Sequence, residues 1–66
     1  MTNIYHRYTC VAPKEEREKC YVVWNGKSDS YLAKSQMQNV TVSAGSMTFT
    51  TTEWYASKHP WLIQID

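Results

Sequence analysis

Two histidines and two cysteines are the residues of this chain best suited to chemistry. His6, Cys10, Cys20 and His59 are of the types that ligate zinc. Their spacing is not that of a zinc site, because the chain has no Cys-x-x-Cys and no His-x-x-x-His pair. On one strand, His6 and Cys10 would stand about 13 Å apart at about 3.3 Å per residue, too far to share a metal. A site would need Cys10, Cys20 and His59 to converge with some fourth ligand. No metal and no cofactor are therefore expected. A disulfide is geometrically easier. If residues 12–18 connect two strands, Cys10 and Cys20 face each other across the hairpin. Closing so short a loop is worth about 2–3 kcal/mol. A reducing compartment, argued below, favours free thiols instead.

Covalent catalysis finds no pattern either. A thiolate–imidazole pair needs Cys10 or Cys20 beside His6 or His59 in a pocket, and nothing in the sequence places one there. There is no Gly-x-Ser-x-Gly, and only Gly26 and Gly45 are available for an oxyanion loop or phosphate cradle. His59 reads as a surface residue at a helix end, where a protonated ring favours the dipole. Glu15, Glu16 and Glu18 sit in the block 14–19, which carries both signs and reads as a solvated turn. The chain is not expected to be an enzyme.

The aromatic residues carry more information. They make up 14% of the 66 residues: Trp24, Trp54, Trp61, Phe49 and tyrosines 5, 8, 21, 31 and 55. Each ring can bury about 150–250 Å². A chain this short hides only about 60% of its unfolded surface, so some rings are expected outside. Exposed rings mark recognition surfaces.

Two surfaces follow. One would bind a protein, either a host factor or a second copy, through Tyr5, Tyr8, Tyr31 and Tyr55 with Arg17 and Lys19 of the charged block. The helix bearing Trp54 and Tyr55, with Trp61, and the open sheet edge are further protein-facing candidates. Tyr55 is expected to be the more exposed of the helix rings. The other surface would stack single-stranded nucleic acid on Tyr8, Tyr21 and Trp24, flanked by Arg7 and Lys27. Seven bases against six acids leave a net charge of +1. That balance disfavours nucleic acid, because phosphate neutralisation supplies much of such affinity.

Strands must position these residues. Residues 4–11 are rich in aromatic and β-branched types, with Ile4, His6, Tyr8 and Cys10 on the more core-like face. Ala12-Pro13 ends that strand. Cys20–Trp24 is apolar on both faces and reads as a central strand. Asn25-Gly26 then suggests a two-residue hairpin turn. Between 27 and 39 the pattern is weak, with a strand near 30–34. Val40 and Val42 alternate with Thr41 and Ser43, and Met47 and Phe49 with Thr48 and Thr50. Ala44-Gly45 makes the turn between them. Thr50 and Glu53 fit a capping box opening a short helix over about 51–58, which Pro60 limits. Residues 61–66 read as a last strand with Trp61, Ile63 and Ile65 on one side.

The expected architecture over residues 1–66 is one small domain, mainly β. It is either a small antiparallel sheet or an SH3-like, partly open barrel of about five strands. One short helix precedes the last strand. The Met1–Arg7 start has no apolar core of a signal peptide, and no apolar run is long enough to cross a membrane. A cytoplasmic protein without membrane contact is expected.

The tail Thr50-Thr51-Thr52-Glu53-Trp54-Tyr55-Ala56-Ser57-Lys58-His59-Pro60-Trp61-Leu62-Ile63 resembles the close of small Mu-type prophage domains. Those end in a Thr-capped helix, an acidic-or-His–Pro pair and an apolar strand. The likeness covers about a quarter of the chain, and the Gly-Phe-Arg-Arg segment of those domains is absent. It implies a phage or prophage origin and no defined activity. Short chains opening on their own Met are also common phage products. Such proteins assemble into the particle or bind and inhibit a host factor. The resulting expectation is a non-enzymatic protein-binding module in the host cytoplasm.

Overall fold

Alternation along two seven-residue strands, β1 (Tyr5–Val11) and β6 (Ser46–Thr52), builds the larger sheet. They pair antiparallel along their whole length, from Tyr5 opposite Thr52 to Val11 opposite Ser46. Pairing at this register puts His6, Tyr8 and Cys10 on one face with Thr51, Phe49 and Met47. Met47, Phe49 and Thr51 are fully buried, and the Tyr8 ring lies 6.4 Å from that of Phe49. Of the core-like face expected for residues 4–11, Tyr8 is buried and His6 and Cys10 are half-buried, whereas Ile4, before the first paired residue, is exposed. The computed structural model describes residues 4–66, so the Met1-Thr2-Asn3 start lies outside the described residues.

The remaining elements are β2 (Glu15–Glu16), β3 (Cys20–Trp24), β4 (Asp29–Ala33), a 3₁₀ turn (Lys34–Gln36), β5 (Gln38–Ser43), α1 (Glu53–Ser57) and β7 (Ile63–Gln64). They form two antiparallel sheets, ordered β5-β6-β1-β7 and β2-β3-β4. Among the described residues the fold is mainly β with one α-helix before the last strand, as expected. No strand pairing joins the two sheets, so the described residues form a two-sheet packing and not a closed barrel. Val23 and Leu32 from the small sheet meet Tyr8, Met47, Phe49, Met37, Ala56 and Leu62 in one core. On the other face of β3, Val22 is also buried, while Trp24 is 46% exposed. The central-strand reading of Cys20–Trp24 holds in the sheet order and fails at that last ring.

Several local expectations shift. The connection after Trp24 spans Asn25–Ser28, because the Asn25 side chain reorganises it. Asn25 Oδ1 accepts from Lys27 N and Ser28 N at 2.9 Å each, and Nδ2 donates to Ser30 Oγ at 2.6 Å. The charged block contributes β2, paired with β3. Ion pairs Lys14–Asp29, Arg17–Glu15 and Lys34–Glu16 tie it down at the surface. Ala44-Gly45 does form the two-residue turn, with φ of 51° and 79°. Val42, opposite Met47, is 52% exposed at the open edge of β5, so its face is only partly greasy.

The helix is capped by Thr52 and not Thr50: Thr52 Oγ1 accepts from Tyr55 N at 3.0 Å. Thr50 stays in β6, opposite Arg7, because the β1 ladder runs two residues further. Residues 61–66 contribute only Ile63–Gln64 to a strand. Leu62 is buried there, and Ile63 and Ile65 are exposed. Leu62 N donates to His59 O, keeping Trp61–Leu62 in a turn.

One buried hydroxyl docks the 3₁₀ turn on the core. Thr51, fully buried, donates to the Gln36 carbonyl at 2.6 Å. Thr51→Val keeps the shape and strands that carbonyl. It should lower stability by about 1–3 kcal/mol, read as a lower urea midpoint with unchanged slope. An unchanged midpoint would show that this bond does not hold the turn.

Candidate functional site

Three segments end at the same place and leave a groove between them. β1 brings Cys10 and Val11, the end of β3 brings Trp24, and the C-terminal segment brings Trp61 and Ile63. Asn25 and Gly26 close the other side. Gly26 has φ +99°, which a side-chain-bearing residue adopts only at a cost, so the loop needs glycine to turn there. This hollow measures about 270 Å³. A second, of about 420 Å³, adjoins it along Asn25–Ser28, Pro60 and Trp61.

The walls are apolar and braced. Val11 is 50% exposed and Ile63 62%. His59 stands between Tyr55 and Trp61, with ring centroids 4.9 and 5.8 Å away. Its backbone N donates to Ala56 O and its carbonyl accepts from Leu62 N. The indole of Trp61 is therefore fixed by the helix end. The Asn25 hydrogen bonds stiffen the facing loop.

Three other rings are covered by cations, whereas exposed Tyr5 on β1 is not. Arg17 lies over Tyr31 at 5.4 Å, Lys34 over Tyr21 at 5.0 Å and Lys58 over Trp54 at 5.0 Å. Cations so placed gain from the ring quadrupole and cover its face. Trp24 has no such cation or stacked ring among the described residues.

The residues expected to form a protein-binding surface are dispersed. Tyr8 is a core residue because it sits on the buried face of β1. Tyr55 is half-buried, and its hydroxyl accepts from Ala33 N at 2.8 Å, so Trp54 and not Tyr55 is the exposed helix ring. Tyr31 and Arg17 do meet, on the small sheet. Tyr5 is exposed on β1 of the other sheet, and Lys19 is exposed with its carbonyl accepting from Lys34 N. The stacking platform also breaks up. Tyr8 is buried, Tyr21 is half-buried under Lys34, and Arg7 lies on β1, which does not pair with β3. Only Trp24 and Lys27 line the two hollows.

The candidate reactive groups are likewise apart. Cys10 and Cys20 are free thiols in different sheets and do not face each other across a hairpin. Burial pushes the Cys10 thiol up to about 11, making it a poor nucleophile at neutral pH. His6 Nε2 lies 3.2 Å from Glu53 Oε2 and Nδ1 lies 3.5 Å from Asp66 Oδ1. Asp66 Oδ1 also accepts from Arg7 N. Both ring nitrogens thus face carboxylates in a tie between β1, α1 and the chain end. Among the described residues, no three His, Cys, Asp or Glu side chains are grouped to hold a metal. No helix there is long and apolar enough to cross a membrane.

Val11, Asn25 and Ile63 were not among the residues expected to bind. A signal for them exists: Val11-Ala12-Pro13, Trp24-Asn25-Gly26 and Pro60-Trp61 each set a large apolar residue against a chain reversal. Such residues end strands and gather where strands end. No family model, no curated protein and no solved structure matches this chain.

Burial holds the His59 imidazole below the ordinary histidine value. The unfolded chain therefore takes up the proton first as pH falls. Stability from the neutral ring is present above about pH 6.5 and is lost as pH drops towards the folded value. An NMR titration of the His59 ring should give a midpoint below 6.5. A midpoint at or above it would contradict the packing of this ring between Tyr55 and Trp61.

Proposed function

We propose that this chain is a non-enzymatic protein-binding module, and that the groove between Trp24 and Trp61 takes an apolar side chain of its partner. The observation that carries the reading is the pair of indoles in a braced apolar groove. Trp24 has an uncovered face, and Trp61 is held from behind. Tryptophan is among the residue types enriched at the energetic anchors of protein interfaces. Val11 and Ile63 enlarge the apolar area, and Lys27 is the charged residue on the rim.

The resemblance of residues 50–63 to Mu-type prophage domains supports a phage or prophage origin. On that reading the partner is a host protein or a component of the particle, met in the host cytoplasm. Binding would act by occlusion, since the reactive groups are dispersed and the groove offers shape alone. Nucleic acid is the lesser reading. A base stacked on Trp24 beside Lys27 would have one cation near it, too few for strong phosphate neutralisation.

A random-peptide display selection on the folded protein tests this. Peptides with a large apolar residue at a fixed position should be enriched. Trp24→Ala and Trp61→Ala should each weaken the best peptide about thirtyfold, as for an anchor worth about 2 kcal/mol. Tyr5→Ala should leave it unchanged. Failure to enrich, or equal binding by the tryptophan variants, would remove the groove as the site. Tryptophan quenching by single-stranded oligonucleotide, weakening as salt rises, would favour nucleic acid instead.

A further inference from the structure

We infer that the open edge of β5 pairs with β5 of a second copy of this chain, joining two large sheets across a two-fold axis near Val42. This surface is separate from the Trp24–Trp61 groove.

Four strands form sheet edges: β5 and β7 in one sheet, β2 and β4 in the other. Unpaired backbone groups on an edge invite another strand unless the edge is short, charged or covered. β2 and β7 have two residues each. β4 carries Asp29 at one end, and at the other its Ala33 N–H is taken by the Tyr55 hydroxyl. β5, Gln38–Ser43, has no charge and no cover, and its one irregularity, the register shift near Asn39, leaves the stretch up to Ser43 open. It lies within residues 35–52, which contain no Asp, Glu, Lys, Arg or His.

Register shows what the edge presents. Ser43 pairs with Ser46 across the two-residue turn, and Thr41 pairs with Thr48. Antiparallel alternation then directs the N–H and C=O of Val42 to the open side. The Val42 side chain shares the core face with Met47, yet it is 52% exposed where Met47 is fully buried. Half-buried Val40 packs against the same core. The core face therefore runs out to an uncovered valine beside unpaired backbone groups. Asn39, at φ +53° in a register shift, ends the regular stretch, so pairing is confined to about Val40–Ser43.

The charge pattern leaves a second copy unopposed. An uncharged edge meets its own copy with no like charges opposed, and the two-fold axis matches each exposed Val42 with its equivalent. Antiparallel pairing about a two-fold axis brings the two Val42 side chains together on one face. Each copy has one such edge, so the assembly closes as a dimer and does not grow into a filament.

Sedimentation equilibrium over micromolar to millimolar concentration tests this. Wild type should pass from 7.7 kDa towards twice that mass. Val42→Lys opposes two charges at the axis and should weaken association about a hundredfold or more. Trp24→Ala should leave it unchanged. The Val42 amide should exchange more slowly as wild-type concentration rises, a readout that needs no variant. A monomer mass throughout with concentration-independent exchange at Val42 would overturn the proposal, as would undiminished association of a folded Val42→Lys protein.

Discussion

The inner face of β6 is the constraint on which everything else rests. Met47, Phe49 and Thr51 are completely shielded from water. To bury that row, the strand needs β1 on one side and β5 on the other, and it needs the small sheet against its face. Val23 and Leu32, also completely shielded, supply the opposing layer. Large apolar side chains in so small a core are each worth several kcal/mol, a large share of total stability for a domain of this size. The same strand then ends in a cap. Thr51 fixes the 3₁₀ turn and Thr52 fixes the helix, so adjacent residues orient the two elements that complete the core.

The groove follows from that packing. Two sheets meet through one core, with no backbone pairing between them to seal their ends. β1 and β3 finish at the same end, and the chain returns there after α1 with Pro60 and Trp61. Their terminal residues, Val11 and Trp24, have outrun the core and stay exposed. The His59 ring and the Asn25 hydrogen bonds hold the walls. A groove braced this way would lose little entropy on taking up a partner.

Much of this was legible in the sequence where the physics is local. Alternation in 4–11 and 46–50 identified the β1 and β6 faces, and Ala44-Gly45 marked its turn. Polar side chains misled where they chose among several backbone partners. Asn25 reads as opening a tight turn and instead stabilises a longer loop, and Thr50 reads as the helix cap that Thr52 provides. The ladder with β1 decided the second case by running on to Thr52, the last strand residue, which then caps the helix. Tyrosine was misread for a related reason. Tyr8 and Tyr55 look like surface rings by type, but one lies on a buried face and the other has an N–H to accept from. The groove itself joins residues far apart in sequence, so only their shared position beside chain reversals hinted at it.

Indole resonances offer the most direct test that the groove is the interaction site. Three tryptophans give three N–H signals in a nitrogen–proton correlation spectrum. Titration with the display-selected peptide should shift the Trp24 and Trp61 signals together. The Trp54 signal should stay in place, because that ring lies on the helix under Lys58. A shift confined to Trp54, or saturable binding with Trp24 and Trp61 unmoved, would contradict the account.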